Sequence, residues 1–191
     1  MELVFASNNP NKLKEIAVLL PKGIILKSLA DIGCSEDIPE TQPTIEGNAL
    51  QKAKYISQKY RVNCFADDTG LEIDALNGKP GVYSARYAGA QKSAEDNMDK
   101  VLSELADNDN RKAHFKTVIA LLLNGKELLF EGIIKGAIAN HKAGDKGFGY
   151  DPIFIPQGFS KTFAEMELTE KNKISHRAIA VHKLISYLQK V

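Results

Sequence analysis

Apolar positions along the chain change period several times, and each change marks an element. Leu3, Val4, Phe5 and Ala6 form a short unbroken apolar run that predicts a strand. Leu13, Ile16, Ala17 and Leu20 then recur at helical spacing. Ile24 to Leu26 predicts a second strand, and a polar connection with Glu36, Asp37 and Glu40 follows as a surface loop. From Thr44 to Tyr60 the period is helical, with Ile45, Ala49, Ala53, Ile56 and Tyr60 on one stripe. Asn48, Lys52 and Tyr55 run beside that stripe, where a lysine is expected to be solvated. Cys64 to Ala66 predicts a buried strand ending in a sharp turn at Asp67-Asp68-Thr69-Gly70, after which Leu71 and Ile73 alternate.

Asn77-Gly78 and Pro80-Gly81 are turn signals, and Val82 to Tyr87 is short and aromatic around Arg86. Ala94 to Leu105 is amphipathic at helical period through Asn97, Val101, Leu102 and Leu105. The β-branched and apolar run Ala113 to Leu123 meets Asn124-Gly125, the strongest hairpin signal in the chain. Its partner runs from Glu127 to Ala139, with Gly132 and Gly136 as expected bulges. A glycine-rich loop from Lys142 to Gly149, a strand at Ile153 to Ile155, and Phe163 to Met166 lead to a last helix. That helix has Ser175 as N-cap and runs through Ala178 to Leu188, with Ile179, His182, Leu184, Ile185 and Leu188 turned inward. Strands and helices interleave throughout, so the class is α/β.

The 191 residues fit one domain or two intimate lobes. Lys and Arg total 25 against 24 Asp and Glu, a balance with no general pull towards nucleic acid or membrane. The two cysteines, Cys34 and Cys64, have no paired spacing, which suits a reducing compartment. No apolar run reaches the length of a membrane span, and the first residues lack the marks of a signal peptide.

Four stretches carry candidate chemistry. Asp67 and Asp68 are adjacent carboxylates that repel unless a positive partner joins them. They are either a solvated turn or part of an oxygen site for a hard cation such as Mg²⁺. Ser7-Asn8-Asn9-Pro10-Asn11-Lys12 joins a strand to a helix start. Such a loop can offer backbone N–H groups to a phosphate, or can be a helix cap made by Asn9 or Asn11. Phe148 lies among glycines, so its ring either stacks on a base or plugs the core. Lys171, Lys173, His176 and Arg177 crowd what reads as a helix N-terminus, where the macrodipole disfavours cations. Either a local rule is broken for function there, or the turn is simply exposed and basic.

Taken in order, Ser7-Asn8-Asn9-x-x-Lys12, Ala66-Asp67-Asp68-Thr69-Gly70-Leu71, Pro80-Gly81-x-Tyr83-Ser84-Ala85-Arg86-Tyr87, Gly147-Phe148-Gly149-Tyr150-Asp151-Pro152 and Ser175-His176-Arg177 resemble the inosine triphosphatase, or Ham1-like, family. The match spans nearly the whole chain. One departure is Asn8, where the family usually has glycine; asparagine tolerates a left-handed backbone well.

The resemblance implies one domain over residues 1–191 without a separable linker: an elongated mixed sheet in two α/β lobes, the active site in the cleft. It implies a homodimer that needs Mg²⁺, while the cysteine usage points to the cytoplasm and the charge balance away from nucleic acid. It further implies hydrolysis of the deaminated purine triphosphates ITP, dITP and XTP to monophosphate and pyrophosphate. Asp68 matches the family's general base and metal carboxylate, and Glu40 its other metal ligand. Ser7, Asn8, Asn9, Pro10, Asn11 and Lys12, with Lys52 nearby, match positions that hold the substrate's phosphate tail, and Thr69 a further substrate-binding position. Phe148, Gly149, Tyr150, Asp151, Lys171, His176 and Arg177 match positions around the base. In that scheme Asp67 is a supporting carboxylate, and His176 and Arg177 donate to the 6-keto group. Two rivals remain. Asp68-Thr69-Gly70 is also the aspartic protease triplet, although that mechanism needs two apposed copies and the chain has one. The other is a nucleotide- or nucleic-acid-binding module built on Lys171 to Arg177.

Overall fold

A computed structural model describes residues 1–190. In chain order the regular elements are β1 (Glu2–Phe5), α1 (Pro10–Ala17), β2 (Ile25–Lys27), α2 (Ile45–Tyr60), β3 (Cys64–Ile73), α3 (Ala94–Glu104), β4 (Lys112–Leu123), β5 (Lys126–Ile138), β6 (Phe154–Pro156), α4 (Leu168–Ile174) and α5 (His176–Leu188). The strand order is β2-β1-β3-β4-β5-β6. β1 pairs in parallel with both β2 and β3, and β5 pairs antiparallel with β6, so the sheet is mixed. The α/β expectation holds.

The described residues divide into two compact units: residues 1–68, 117–132 and 176–190, and residues 69–116 and 133–175. Strands β3, β4 and β5 contribute residues to both. In the first unit Leu3, Phe5, Ile16, Phe65, Ile119 and Leu121 pack with Ala180, Val181 and Leu184 of α5. Phe5 and Phe65 stack there with centroids 4.8 Å apart. In the second unit Leu71, Ile73, Val101, Leu105, Phe115, Phe154 and Phe163 form a separate core. Tyr150 anchors its glycine-rich loop, its hydroxyl donating to the Ser84 carbonyl at 2.7 Å.

Several expectations need correction. β3 does not turn at Asp67-Asp68-Thr69-Gly70 but runs unbroken from Cys64 to Ile73. The turn residues are overridden because the strand is flanked by ordered partners and both its apolar ends are buried. Lys171 and Lys173 do not sit at a helix N-terminus. They lie in the last turn of α4, a helix the apolar pattern missed, where the dipole favours cations. Gly132 and Gly136 are sites of close approach. A Cβ on Gly132 would lie 2.0 Å from the His176 carbonyl oxygen, and one on Gly136 would lie 2.3 Å from that of Ile155. Ala17 and His182 are exposed instead of facing the core. The Asn124-Gly125 hairpin is as expected, with φ of 50° and 79°.

Candidate active site

Strand geometry settles how two adjacent aspartates coexist. Successive side chains on β3 point to opposite faces, so Asp67 and Asp68 turn to different nearest cations. Asp67 is fully buried in the first unit. Its Oδ1 accepts from Lys12 Nζ at 3.0 Å and its Oδ2 from Arg177 Nε at 3.1 Å. Burial alone would raise its pKa, but Lys12, Arg177 and Lys52 outweigh that and hold the carboxyl well below the usual range. Arg177 is itself buried, and its Nη1 also donates to Glu15 on α1. Two carboxylates and two cations thus form one buried network joining α1, β3 and α5.

Asp68 faces a different group. Its Oδ1 lies 3.6 Å from Lys52 Nζ, and the same Nζ donates to Glu40 Oε1 at 2.5 Å. Lys52 is buried on α2, not solvated as its helical position suggested. Desolvation works against its charge, yet Asp68, Glu40 and Asp67 more than restore it and raise its pKa. The opposite holds for Asp68: burial dominates, Glu40 and Asp67 add to it, and the carboxyl is raised despite Lys52 and Lys12. Asp68 Oδ2 is buried and has no hydrogen-bond partner. Such an oxygen costs free energy unless something electropositive reaches it.

This donor set suits Mg²⁺. That ion binds proteins through one or two carboxylates and takes its remaining oxygens from water and substrate phosphates. Two carboxylates, Glu40 and Asp68, converge on one point, and one of their oxygens lacks a partner. Among the described residues no group of three His, Cys, Asp or Glu could hold an ion by itself. The ion's remaining ligands would therefore come from phosphate oxygens and water.

The loop before α1 is a helix cap. Asn9, not Asn11, is the cap: its Oδ1 accepts from the N–H groups of Asn11 at 2.9 Å and Lys12 at 3.3 Å, and Ser7 Oγ accepts from Asn9 N–H at 3.2 Å. Pro10 opens the helix, a position where its missing N–H is no loss. Asn8 is exposed, and Lys12 points its ammonium at Asp67.

In the second unit, Lys171 Nζ donates to Asp151 Oδ2 at 2.7 Å, both side chains being buried. The same carboxylate oxygen accepts from Phe148 N–H at 2.8 Å. Only glycine fits at 147, since its φ is +74° and a Cβ would lie 2.1 Å from that oxygen. Asp151 therefore fixes both the loop and the lysine. Phe148 is only half buried, so it does not plug the core, and Lys171 Nζ lies 5.2 Å from its ring centroid. Gly149 has φ +65°, Tyr150 is buried, and Thr69 is half buried on β3. His176 is buried at the first turn of α5 in the first unit.

Sequence reasoning missed Glu15 and underrated Glu36. Glu15 sits one turn after Lys12 on α1, a spacing that puts both on one face. Without Arg177 in view, that spacing carried no message.

Fold and site together define a class: mixed α/β proteins in which carboxylates back buried or half-buried lysines and a buried arginine. The chain belongs to the Ham1 family, whose model matches residues 3–187. It is 62% identical over 188 residues to the dITP/XTP pyrophosphatase of Flavobacterium johnsoniae, covering 98% of each chain. It is 60% identical over 189 residues to that of Flavobacterium psychrophilum, covering 99% of this chain and all of that one. Among solved structures, a HAM1 protein from Coxiella burnetii superposes with a TM-score of 0.92 at 40% identity, with full coverage of both chains.

Proposed function

We propose that the protein hydrolyses deaminated purine nucleoside triphosphates, ITP, dITP and XTP, to the monophosphate and pyrophosphate, and so keeps deaminated bases out of nucleic acid. The observation that carries this reading is the Lys52-centred pair of carboxylates with a partnerless buried oxygen on Asp68, in a chain that matches dITP/XTP pyrophosphatases end to end.

Cleavage between the α and β phosphates needs neutralised charge and an aligned water more than covalent help. Mg²⁺ held by Glu40 and Asp68 would screen the phosphate charge and acidify a nearby water. Asp68, which keeps one buried oxygen without a hydrogen-bond partner, is the group proposed to take the proton from the attacking water. Ser7, Asn8, Asn9, Pro10, Asn11 and Lys12 would line the phosphate tail, with Lys52 as a second cation and Thr69 nearby in sequence to Asp68. Because Lys12 and Lys52 are each backed by a carboxylate, their ammonium groups stay in place between turnovers.

For the base, Phe148 offers a ring face, Gly149 and Tyr150 shape its loop, and Asp151 holds Lys171 beside it. His176 is the donor proposed for the 6-keto oxygen, which adenine replaces with an amino group; Arg177, whose Nε and Nη1 donate to Asp67 and Glu15, is proposed to hold that buried network in place. Both rivals lose support. The mixed α/β fold differs from the all-β fold of aspartic proteases, which disfavours protease chemistry. Lys171 and Arg177 are buried in ion pairs, which disfavours an exposed basic face for nucleic acid. The chain is further proposed to act as a cytoplasmic homodimer, which light scattering would check; among the described residues no helix is long and apolar enough to cross a membrane.

The test is a nucleotide panel with pyrophosphate detection. ITP, dITP and XTP should be turned over with far higher kcat/KM than ATP and GTP, since a mismatched buried polar group gives discrimination of about 10⁴. Equal rates on ITP and ATP would overturn the specificity.

A further inference from the structure

The connection from Cys34 to Gln42 has no helix or strand, yet it carries Glu40. It is laced along α2 by side chains at successive levels. Gln42 N–H donates to Asn48 Oδ1 at 2.9 Å, and Thr41 N–H donates to Gln51 Oε1 at 2.9 Å. Gln51 Nε2 returns a bond to Thr41 Oγ1 at 2.9 Å, and Lys52 holds Glu40. Loop position rises as helix position falls, so the segment runs antiparallel to α2. At the far end stands Glu36. Its Oε2 accepts from Lys59 Nζ at 2.5 Å and Tyr55 hydroxyl at 2.8 Å, and its Oε1 from Tyr60 hydroxyl at 2.8 Å. Cys34 Sγ approaches Oε1 at 3.8 Å.

We propose that Glu36 is a positioning residue for the metal site: it fastens the loop to the C-terminal end of α2 and thereby sets Glu40 beside Lys52 and Asp68. A carboxylate on an untethered loop must lose backbone freedom before it can coordinate, and that loss weakens binding. With Glu36 clamped and residues 41 and 42 bonded to α2, Glu40 is tied on both sides. Groups that orient a metal-binding carboxylate matter to metal affinity nearly as much as the ligand itself. Lys59, Tyr55 and Tyr60 hold the carboxyl ionised, with its pKa lowered to about 2, so the clamp is closed throughout the neutral range. This proposal rests on the reading of Glu40 and Asp68 as a Mg²⁺ site.

The experiment measures Mn²⁺ binding to the nucleotide-free protein by electron paramagnetic resonance, in wild type, Glu36→Ala and Glu36→Gln. Amide hydrogen exchange at Thr41 and Gln42, and kcat against Mg²⁺ concentration, are read in parallel. Glu36→Ala is expected to weaken Mn²⁺ binding by about tenfold or more. It should shift the Mg²⁺ half-saturation by the same factor, leave kcat at saturating Mg²⁺ unchanged, and speed exchange at Thr41 and Gln42. Glu36→Gln keeps the shape and one acceptor oxygen, and should fall between. A lower Tm with wild-type Mn²⁺ affinity in both variants would make Glu36 a plain structural residue and overturn the proposal. A wild type that binds no Mn²⁺ and turns over ITP in EDTA would instead refute the metal reading on which it rests.

Discussion

Asp67 and Asp68 are neighbours in sequence with opposite duties. Asp67 is saturated by Lys12 and Arg177, while Asp68 keeps a buried oxygen without a partner. Their replacements should therefore part. Asp67→Asn leaves Arg177 and Glu15 in an unbalanced buried network and should cost about 3–5 kcal/mol of stability, read by urea denaturation. Asp68→Asn removes a charge that burial disfavours, so its stability should match or exceed wild type while turnover nearly vanishes. A wild-type rate for Asp68→Asn would reject its role. Acid adds a second check. Glu36 falls from the usual 4.5 to about 2 in the folded state, and Asp67 is held low as well. A carboxyl that binds its proton less tightly when folded lends stability above its unfolded pKa and loses it as pH falls towards the folded one. The Tm should therefore drop steadily between about pH 4.5 and 2. The drop should be shallower in Glu36→Gln, and equal slopes would contradict the clamp. The family resemblance points to Asp68 and Glu40, and the loop before α1 to Lys12, from the sequence alone. The pairing that gives each its role spans up to 55 positions, as between Lys12 and Asp67, and no local pattern carries it.

At the scale of elements, apolar period found the long strands and helices, because each buries one continuous face. It failed where polar residues do the packing. β3 was read as ending at Asp67, since Asp, Thr and Gly are turn formers, but ion pairs on both faces keep it extended. α4 was missed because its seven residues include only two apolar ones, Leu168 and Ile174, and its most buried side chain is Lys171. Gly132 shows the same limit: the glycine was visible, but its reason lies in α5. Gly132→Ala would drive a methyl group against the His176 carbonyl and the Ala180 N–H, neither of which can swing aside. Overpacking of this kind should cost about 1–3 kcal/mol, visible as a lower Tm, and it should disturb the start of α5 where His176 and Arg177 sit. An unchanged Tm would mean that α5 shifts freely away from β5.

For the molecule as a whole, two separate cores and one mixed sheet carry two sets of polar clusters, one in each unit. The α/β class and the family were legible because the motifs recur in order along the chain. The buried ion-pair networks were not, because a near-neutral total of charges says nothing about where the charges lie. The most direct measurement is phosphorus NMR of one reaction, ITP incubated with the protein and Mg²⁺. Inosine monophosphate and pyrophosphate should appear in equal amounts, with no reaction in EDTA. Release of orthophosphate from the γ position, or turnover that continues undiminished in EDTA, would contradict the proposed function.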